Sequence, residues 1–382
     1  MKKTLLSVVI SSLALGSIGA QAEGFDSLVK DGSIDANFRY RAESVSSDAT
    51  GKNALANTLK SRVTIKTGAV YGLSAVVEGD NVYQITEDFN DKDRPNPDNY
   101  DLVLDQETTQ LNQAYLQYAN ESTTVKAGNQ RINLDNQRHV GGVAFRQDEA
   151  TFDAVSVKNT DIANTTIFAA FANNLNTITN DNAEQDMTLL NVKYQVNPDL
   201  AATGFYYDIE DTGSTMGVRV VGKASGFGYE AELATQEQDG VDASPLYYHL
   251  AAHKKVSTVK LTAGLEVLGS DDGVSSFNTP LGTNHKFLGW SDTYLNASKY
   301  GANGLQDLYA SAVTKVSGVK LVAQLHKFDA AKGSTDKGSE LGLLAAKKIK
   351  NYGVSVKLAQ FNAGDDGKED ATKVWLTGTA KF

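Results

Sequence analysis

The chain contains no cysteine, only five prolines and, past its first residues, no long apolar run. Without cysteine there can be neither a disulfide framework nor a thiolate metal site. No stretch after Ala22 approaches the roughly eighteen apolar residues that a spanning helix needs, which excludes a helical membrane protein. Convincing 3.6-residue periodicity is missing too, which argues against a soluble α/β chain. Pro95 and Pro97 share one loop-like segment and leave the extended segments unbroken. Positive charge is scarce, with 36 Lys+Arg against 46 Asp+Glu, and this acidic balance argues against a nucleic-acid partner.

What is present begins with a leader. Lys2 and Lys3 supply a positive start, 5–18 an apolar stretch and Ala20-Gln21-Ala22 a small-x-small cleavage site. Together they predict a signal peptide over 1–22 and a mature chain from Glu23. The remaining 382 − 22 = 360 residues carry a net charge of 34 − 46 = −12, since Lys2 and Lys3 are removed.

Period-two alternation fills this mature part. Over 33–43, Ile34, Ala36, Phe38, Tyr40 and Ala42 take one face, and Asp35, Asn37, Arg39, Arg41 and Glu43 the other. One face suits lipid and the other water. The same dyad places Leu59, Val63 and Ile65 against Lys60, Arg62, Thr64 and Lys66, and it recurs up to Phe382. Such segments predict strands at 33–44, 58–70, 72–84, 108–119, 122–130, 151–159, 163–172, 187–196, 199–209, 215–223, 226–236, 245–256, 258–268, 304–316, 318–326, 338–349, 352–361 and 372–382. That is an all-β transmembrane antiparallel barrel over 23–382 with eighteen strands, sixteen if weak segments such as 151–159 are miscounted.

Connections between the segments are expected to alternate strictly between tight turns, as at Asn197-Pro198 and Ser317-Gly318, and longer ones such as 85–107, 131–150, 173–186 and 269–303. Short periplasmic turns and long external loops are the pattern of outer-membrane barrels. A soluble β-sandwich or propeller is the competing fold, but it leaves the terminal Phe382 unexplained. That ending resembles the signal that outer-membrane proteins present to the barrel-assembly machinery.

By parity, the water-facing sides hold Arg39, Arg41, Lys60, Arg62, Lys66, Lys126, Lys193, Arg219, Lys223, Lys260, Lys320 and Lys357, with Asp35, Glu43, Glu78, Glu230, Glu232 and Glu266 among them. This reads either as a mixed polar lining or as an electropositive stripe that conducts anions. The segment 127–147 is not strand-like throughout and carries Arg131, Arg138 and Arg146. Folded inward, it would set those arginines at a constriction, where each can grip a carboxylate with two parallel hydrogen bonds. Left outside, they would pair with Asp135, Asp148 and Asp153.

The stretch from Gly128-Asn129-Gln130-Arg131 through Gln137-Arg138-His139-Val140-Gly141 to Phe145-Arg146-Gln147 and Thr151-Phe152-Asp153-Ala154 resembles the alginate-export family of outer-membrane channels. So do Phe277-Asn278-Thr279-Pro280-Leu281-Gly282 with Gly289-Trp290-Ser291-Asp292, and, more weakly, Phe38-Arg39-Tyr40-Arg41 and Leu59-Lys60-Ser61-Arg62. The resemblance implies a monomeric eighteen-stranded barrel whose arginine-rich constriction passes uronates, alginate-like oligosaccharides or related anionic or saccharide solutes. Arg39, Arg41, Arg62, Arg131, Arg138 and Arg146 are the positions carried over. The partners expected are such solutes, outer-membrane lipid and lipopolysaccharide, and the assembly machinery.

Three other classes stay open: a general diffusion porin, a barrel adhesin and a barrel hydrolase. The five histidines, at 139, 249, 253, 285 and 326, lack a recognisable nucleophile motif beside them, so no catalytic residue is assigned. Loop 87–101 offers oxygen ligands but not calcium-loop spacing, and neither a metal nor a cofactor is expected.

Overall fold

The computed structural model describes residues 27–382, so the leader read at 1–22 lies outside them. Its strands are β1 (Ser33–Ser47), β2 (Ala54–Lys66), β3 (Leu73–Gln84), β4 (Thr108–Ala119), β5 (Thr123–Gln130), β6 (Thr151–Asn159), β7 (Thr165–Asn176), β8 (Met187–Asn197) and β9 (Leu200–Ile209). They continue with β10 (Gly213–Ala224), β11 (Phe227–Gln238), β12 (Leu246–Val256), β13 (Val259–Leu268), β14 (Leu305–Val316), β15 (Val319–Asp329), β16 (Asp336–Ile349), β17 (Tyr352–Asn362) and β18 (Ala371–Lys381). Each pairs antiparallel with its neighbours in sequence, and β18 closes onto β1, with Asn37 opposite Lys381 and Ser47 opposite Ala371. The result is a closed 18-strand barrel without a free edge.

Alternation explains the closure. On β1, Ile34, Phe38 and Tyr40 are exposed on the outer face while Arg41 and Glu43 are buried inside. At one end the strands are joined by short turns, among them Ser225-Gly226 and Ser317-Gly318, in which both residues have positive φ. That is the mirror-image turn whose twist matches paired strands, and glycine at the second position adopts it without strain. The other end carries the longer connections, but not without exception: 210–212 is as short as a turn, so the expected strict alternation of tight and long fails there. The second strand also begins earlier than 58–70, because Ala54 and Ala56 pair with Val45 and Glu43, and it ends at Lys66.

Connections 85–107 and 269–303, expected outside, fold largely inward together with 131–150, for which the sequence leaves both readings open. Segment 131–150 crosses the lumen and 269–304 packs against it, with the Gly141 amide donating to Leu281 O (2.8 Å) and the Thr283 amide to Gln137 O (2.9 Å). Loop 85–107 follows, setting Phe89 and Val103 against Val45, Ala54 and Ala56. A second, larger apolar core lies inside the barrel, where Phe152, Leu189, Phe205, Tyr247 and Phe328 point inward beneath Phe277, Leu281 and Tyr294 of the loops. The loop-end half of the barrel is therefore packed like a protein interior, and the turn-end half stays open.

Phe382 lies at the closing seam, its ring edge-on to Phe38 and Tyr352 at 6.4 and 6.2 Å, while its backbone exchanges two 2.9 Å hydrogen bonds with Ala36. Phe382→Asp puts a charge on an apolar outer face at the last strand pair. We expect it to lower the yield of heat-modifiable barrel in membranes several-fold; unchanged yield would contradict the terminal-strand role.

Candidate functional site

Two charge environments divide the lumen. The first surrounds the inward loop. On β1, the Arg39 guanidinium donates to Gln147 Oε1 (2.7 Å), Ala144 O (2.9 Å) and Arg146 O, and Arg41 donates to Phe145 O (2.7 Å) with its cation over the Phe145 ring at 4.4 Å. Both arginines thus hold loop backbone rather than an open passage. Asp105 of loop 85–107 stands 3.6 Å from Arg41 and accepts from the Gln147 amide.

On β2 and β3, Arg62 forks onto Asp80 (2.6 and 2.5 Å) and reaches Glu149 at 2.6 Å, while Lys60 pairs with Asp80 at 3.1 Å. A bulge on β4 turns both Asn112 and Gln113 inward, and both donate to Glu78. Glu78 and Glu149 then bind Arg131 of the loop. Burial opposes the Glu149 charge, but Arg131, Arg62 and Lys60 bring its carboxyl down to about 2. A guanidinium taken from water needs such partners, because the desolvation penalty otherwise exceeds any gain.

Arg138 and Arg146 are sealed in. Arg138 is fully buried against Glu266 of β13 and donates to Thr279 Oγ1 (2.9 Å) and Asn284 Oδ1 (2.7 Å). Arg146 joins Glu43 (2.9 Å) to Asp292 (3.1 Å). Asp292 also accepts from His285 Nδ1 at 2.6 Å, and His285 Nε2 accepts from Lys357 Nζ at 2.6 Å inside a box of Phe145, Trp290 and Trp375. Burial pushes the His285 imidazole down to about 3, leaving it neutral, as this donor–acceptor arrangement requires. Burial alone would raise Asp292, but His285, Lys373 and Arg146 hold it below the usual carboxylate range.

The arginine expectation is therefore corrected in part. Arg131, Arg138 and Arg146 do lie on an inward loop, yet Arg138 and Arg146 pin it from within and present nothing to a passing solute. Nor do they pair with Asp135, Asp148 and Asp153, which accept from Asn191, Gln110 and Asn174. Arg219 is likewise matched, by Glu230 (2.6 Å) and Glu232 (3.3 Å). Arg39, Arg62, Arg131 and Arg219 keep a partly exposed edge, whereas Arg41, Arg138 and Arg146 are buried.

Asp148 is the odd member. Its Oδ1 accepts from Gln110 and from the Glu149 amide, Oδ2 has no partner, and burial raises the carboxyl to about 7. A carboxyl raised in the folded state adds stability fully present below its ordinary pKa of about 4, and this is lost as pH rises through about 7. We expect the thermal midpoint of wild type relative to Asp148→Asn to fall between pH 4 and 8, read by heat modifiability; a constant difference would contradict it.

The second environment is the open turn-end half. There Lys126, Lys158 and Lys193 line one cavity of about 600 Å³, and Lys315, Lys320, Lys348 and Lys381 another of the same volume. Lys223 and Lys260 line smaller recesses, and Lys66 and Lys255 share the inward parity of their strands. None of these lysines forms an ion pair among the described residues. Parity had given Lys66, Lys126, Lys193, Lys223, Lys260 and Lys320. Lys158, Lys255, Lys315, Lys348 and Lys381 carry the same signal and belong with them.

The histidines have ordinary wall partners: His139 meets Glu232 (2.5 Å), His249 the Tyr309 hydroxyl (2.8 Å) and His326 Asp307 (2.8 Å). In loop 87–101, Asp91 caps its own turn and Asp98 pairs with Lys52. Among the described residues no group of three His, Cys, Asp or Glu could hold a metal ion.

No family model matches the chain, and no curated protein matches it. Solved structures do. Pseudomonas aeruginosa OccK3 (OpdO) superposes with a TM-score of 0.74 at 13% identity, covering 94% of this chain and 98% of that one. OccK9 (OpdG) of the same organism gives 0.74 at 15% identity over 93% and 100%. Pseudomonas aeruginosa OpdK, solved with vanillate, gives 0.73 at 10% identity over 93% and 99%. At such identities the likeness is one of fold, and it gives no specific support to the alginate-export resemblance.

Proposed function

We propose that the protein is an outer-membrane channel that favours anionic solutes, with uronates and other acidic saccharides within its reach. The barrel and its similarity to the Occ and Opd structures support a membrane channel, and the leader read at 1–22 would deliver it across the inner membrane. On this reading the turn end faces the periplasm and the loop end the outside. One observation carries the anion preference: the turn-end vestibule is ringed by lysines without carboxylate partners. Uncompensated like charge in a confined, low-dielectric mouth raises the local anion concentration.

The basis differs from an arginine constriction, since the arginines around the loop, Arg39 apart, are neutralised by Glu43, Glu78, Asp80, Asp105, Glu149 and Glu266. That same neutralisation favours a second reading, a general diffusion porin with little selectivity. Ion selectivity separates the two: a reversal potential on the anion side in a salt gradient supports the first, and one near zero the second.

A further inference from the structure

The vestibule is not uniform. In the sector β4–β8 its wall combines cations, neutral hydrogen-bonding groups and one aromatic face in a single cavity of about 600 Å³, within the size range of small-molecule sites. Strand register fixes the arrangement. Lys126 stands beside Gln117 on one side and Ser156 on the other; one step along, Lys158 lies between Thr124 and Phe168, with Asn191 beyond; Lys193 pairs with Thr166. Lys126 and Lys158 are diagonal neighbours, whose Cβ atoms lie about 7–8 Å apart on a sheet. Arg131 and Asn133 of the inward loop roof the cavity.

Like charges this close repel, and beside the loop the barrel avoids the cost: on β2 Lys60 and Arg62 each meet an acid of β3 within 3.5 Å. Here Asp135 of the inward loop also lines the cavity, accepting from Asn191 at 2.6 Å, but among the described residues no acid forms an ion pair with Lys126, Lys158 or Lys193. A wall that merely solvated the channel would gain from mixed charge, as that other sector has. We infer that this cavity is a binding site for a small polyol bearing two or more anionic groups, one stage in transit between the loop constriction and the turn-end mouth. The lysines meet separate anionic groups, the amides and hydroxyls of Gln117, Asn191 and Thr166 meet the polyol, and Phe168 offers an apolar face to its carbon skeleton. Dicarboxylated and phosphorylated polyols share this chemistry.

The inference rests on the anion-channel reading. Purified protein in a planar bilayer at low salt is titrated from the turn-end side with glucarate, glucose 6-phosphate, the monoanion gluconate and neutral sorbitol. We expect glucarate or glucose 6-phosphate to half-block current at a concentration at least tenfold below gluconate, and whichever does so names the source. The triple variant Lys126→Gln, Lys158→Gln, Lys193→Gln should raise that concentration at least tenfold, while Lys315→Gln, Lys320→Gln, Lys348→Gln changes it by less than threefold. Equal effects of the two triples, or no preference for the dianions in an anion-selective wild type, would overturn the site and leave the channel reading standing. A wild type without anion selectivity would overturn the reading beneath it. Unchanged heat modifiability of both triples establishes that the barrel is folded.

Discussion

Arg138→Ala is expected to destabilise the barrel and open it. The guanidinium is fully buried and ties the inward loop to Glu266 on β13 and to Thr279 and Asn284 of the second loop. Its removal leaves Glu266 buried, with the Tyr247 hydroxyl at 2.9 Å as its remaining side-chain donor. Breaking one side of a buried ion pair costs about 3–5 kcal/mol, because the surviving charge stays desolvated. Part of that cost is relieved if the loops undock and let water reach Glu266, which widens the lumen. Arg138→Ala should therefore lower the heat-modification temperature and raise single-channel conductance with added noise. Arg138→Met combined with Glu266→Gln, which removes both charges, should recover much of the stability. Lys332→Glu, at an exposed pair with Asp272, should change neither property. Wild-type conductance and stability in Arg138→Ala would contradict the account of the loop anchor.

The second large effect concerns charge. Lys223→Glu, Lys260→Glu and Lys320→Glu together alter the mouth by 3 × 2 = 6 charges without breaking any ion pair in the structure. Selectivity of a confined mouth follows its fixed charge, so the reversal potential should cross from the anion to the cation side. The shift should shrink as ionic strength rises and the screening length falls to about 3 Å at 1 M. Arg131→Glu makes an instructive contrast. It breaks the pairing with Glu78 and Glu149, so it should cost stability as well as selectivity. A folded triple lysine variant with unchanged reversal potential would remove the mouth as the seat of selectivity.

Strand positions were legible because each strand must show one apolar and one polar face; the reading of 108–119 and 151–159 matches β4 and β6. The second strand was misplaced because small Ala54 and Ala56 give a weak dyad, while the turn-end residues after Lys66 extend it spuriously. The loop plug was only half legible. One local signal did exist: Phe152, Leu189, Phe205, Tyr207 and Phe328 break the polar-inward rule near the loop end, and inward aromatics there require something apolar to cover them. The ion pairs were not legible, although Arg138 and Glu266 were both placed on the lumen side or its loop. They lie 128 residues apart, and which carboxylate meets which guanidinium depends on the loop's path. Reading the arginines without those acids made the constriction look more positive than it is.

The central claim is that uncompensated lysines at the turn-end mouth make this barrel an anion-preferring channel. Its most direct test is the zero-current potential of purified wild-type protein in a planar bilayer, with tenfold different potassium chloride on the two sides at neutral pH. The account predicts a potential of the sign that chloride permeation sets, growing as both solutions are diluted and screening weakens. A potential of the opposite sign, or one near zero at every dilution, would contradict it.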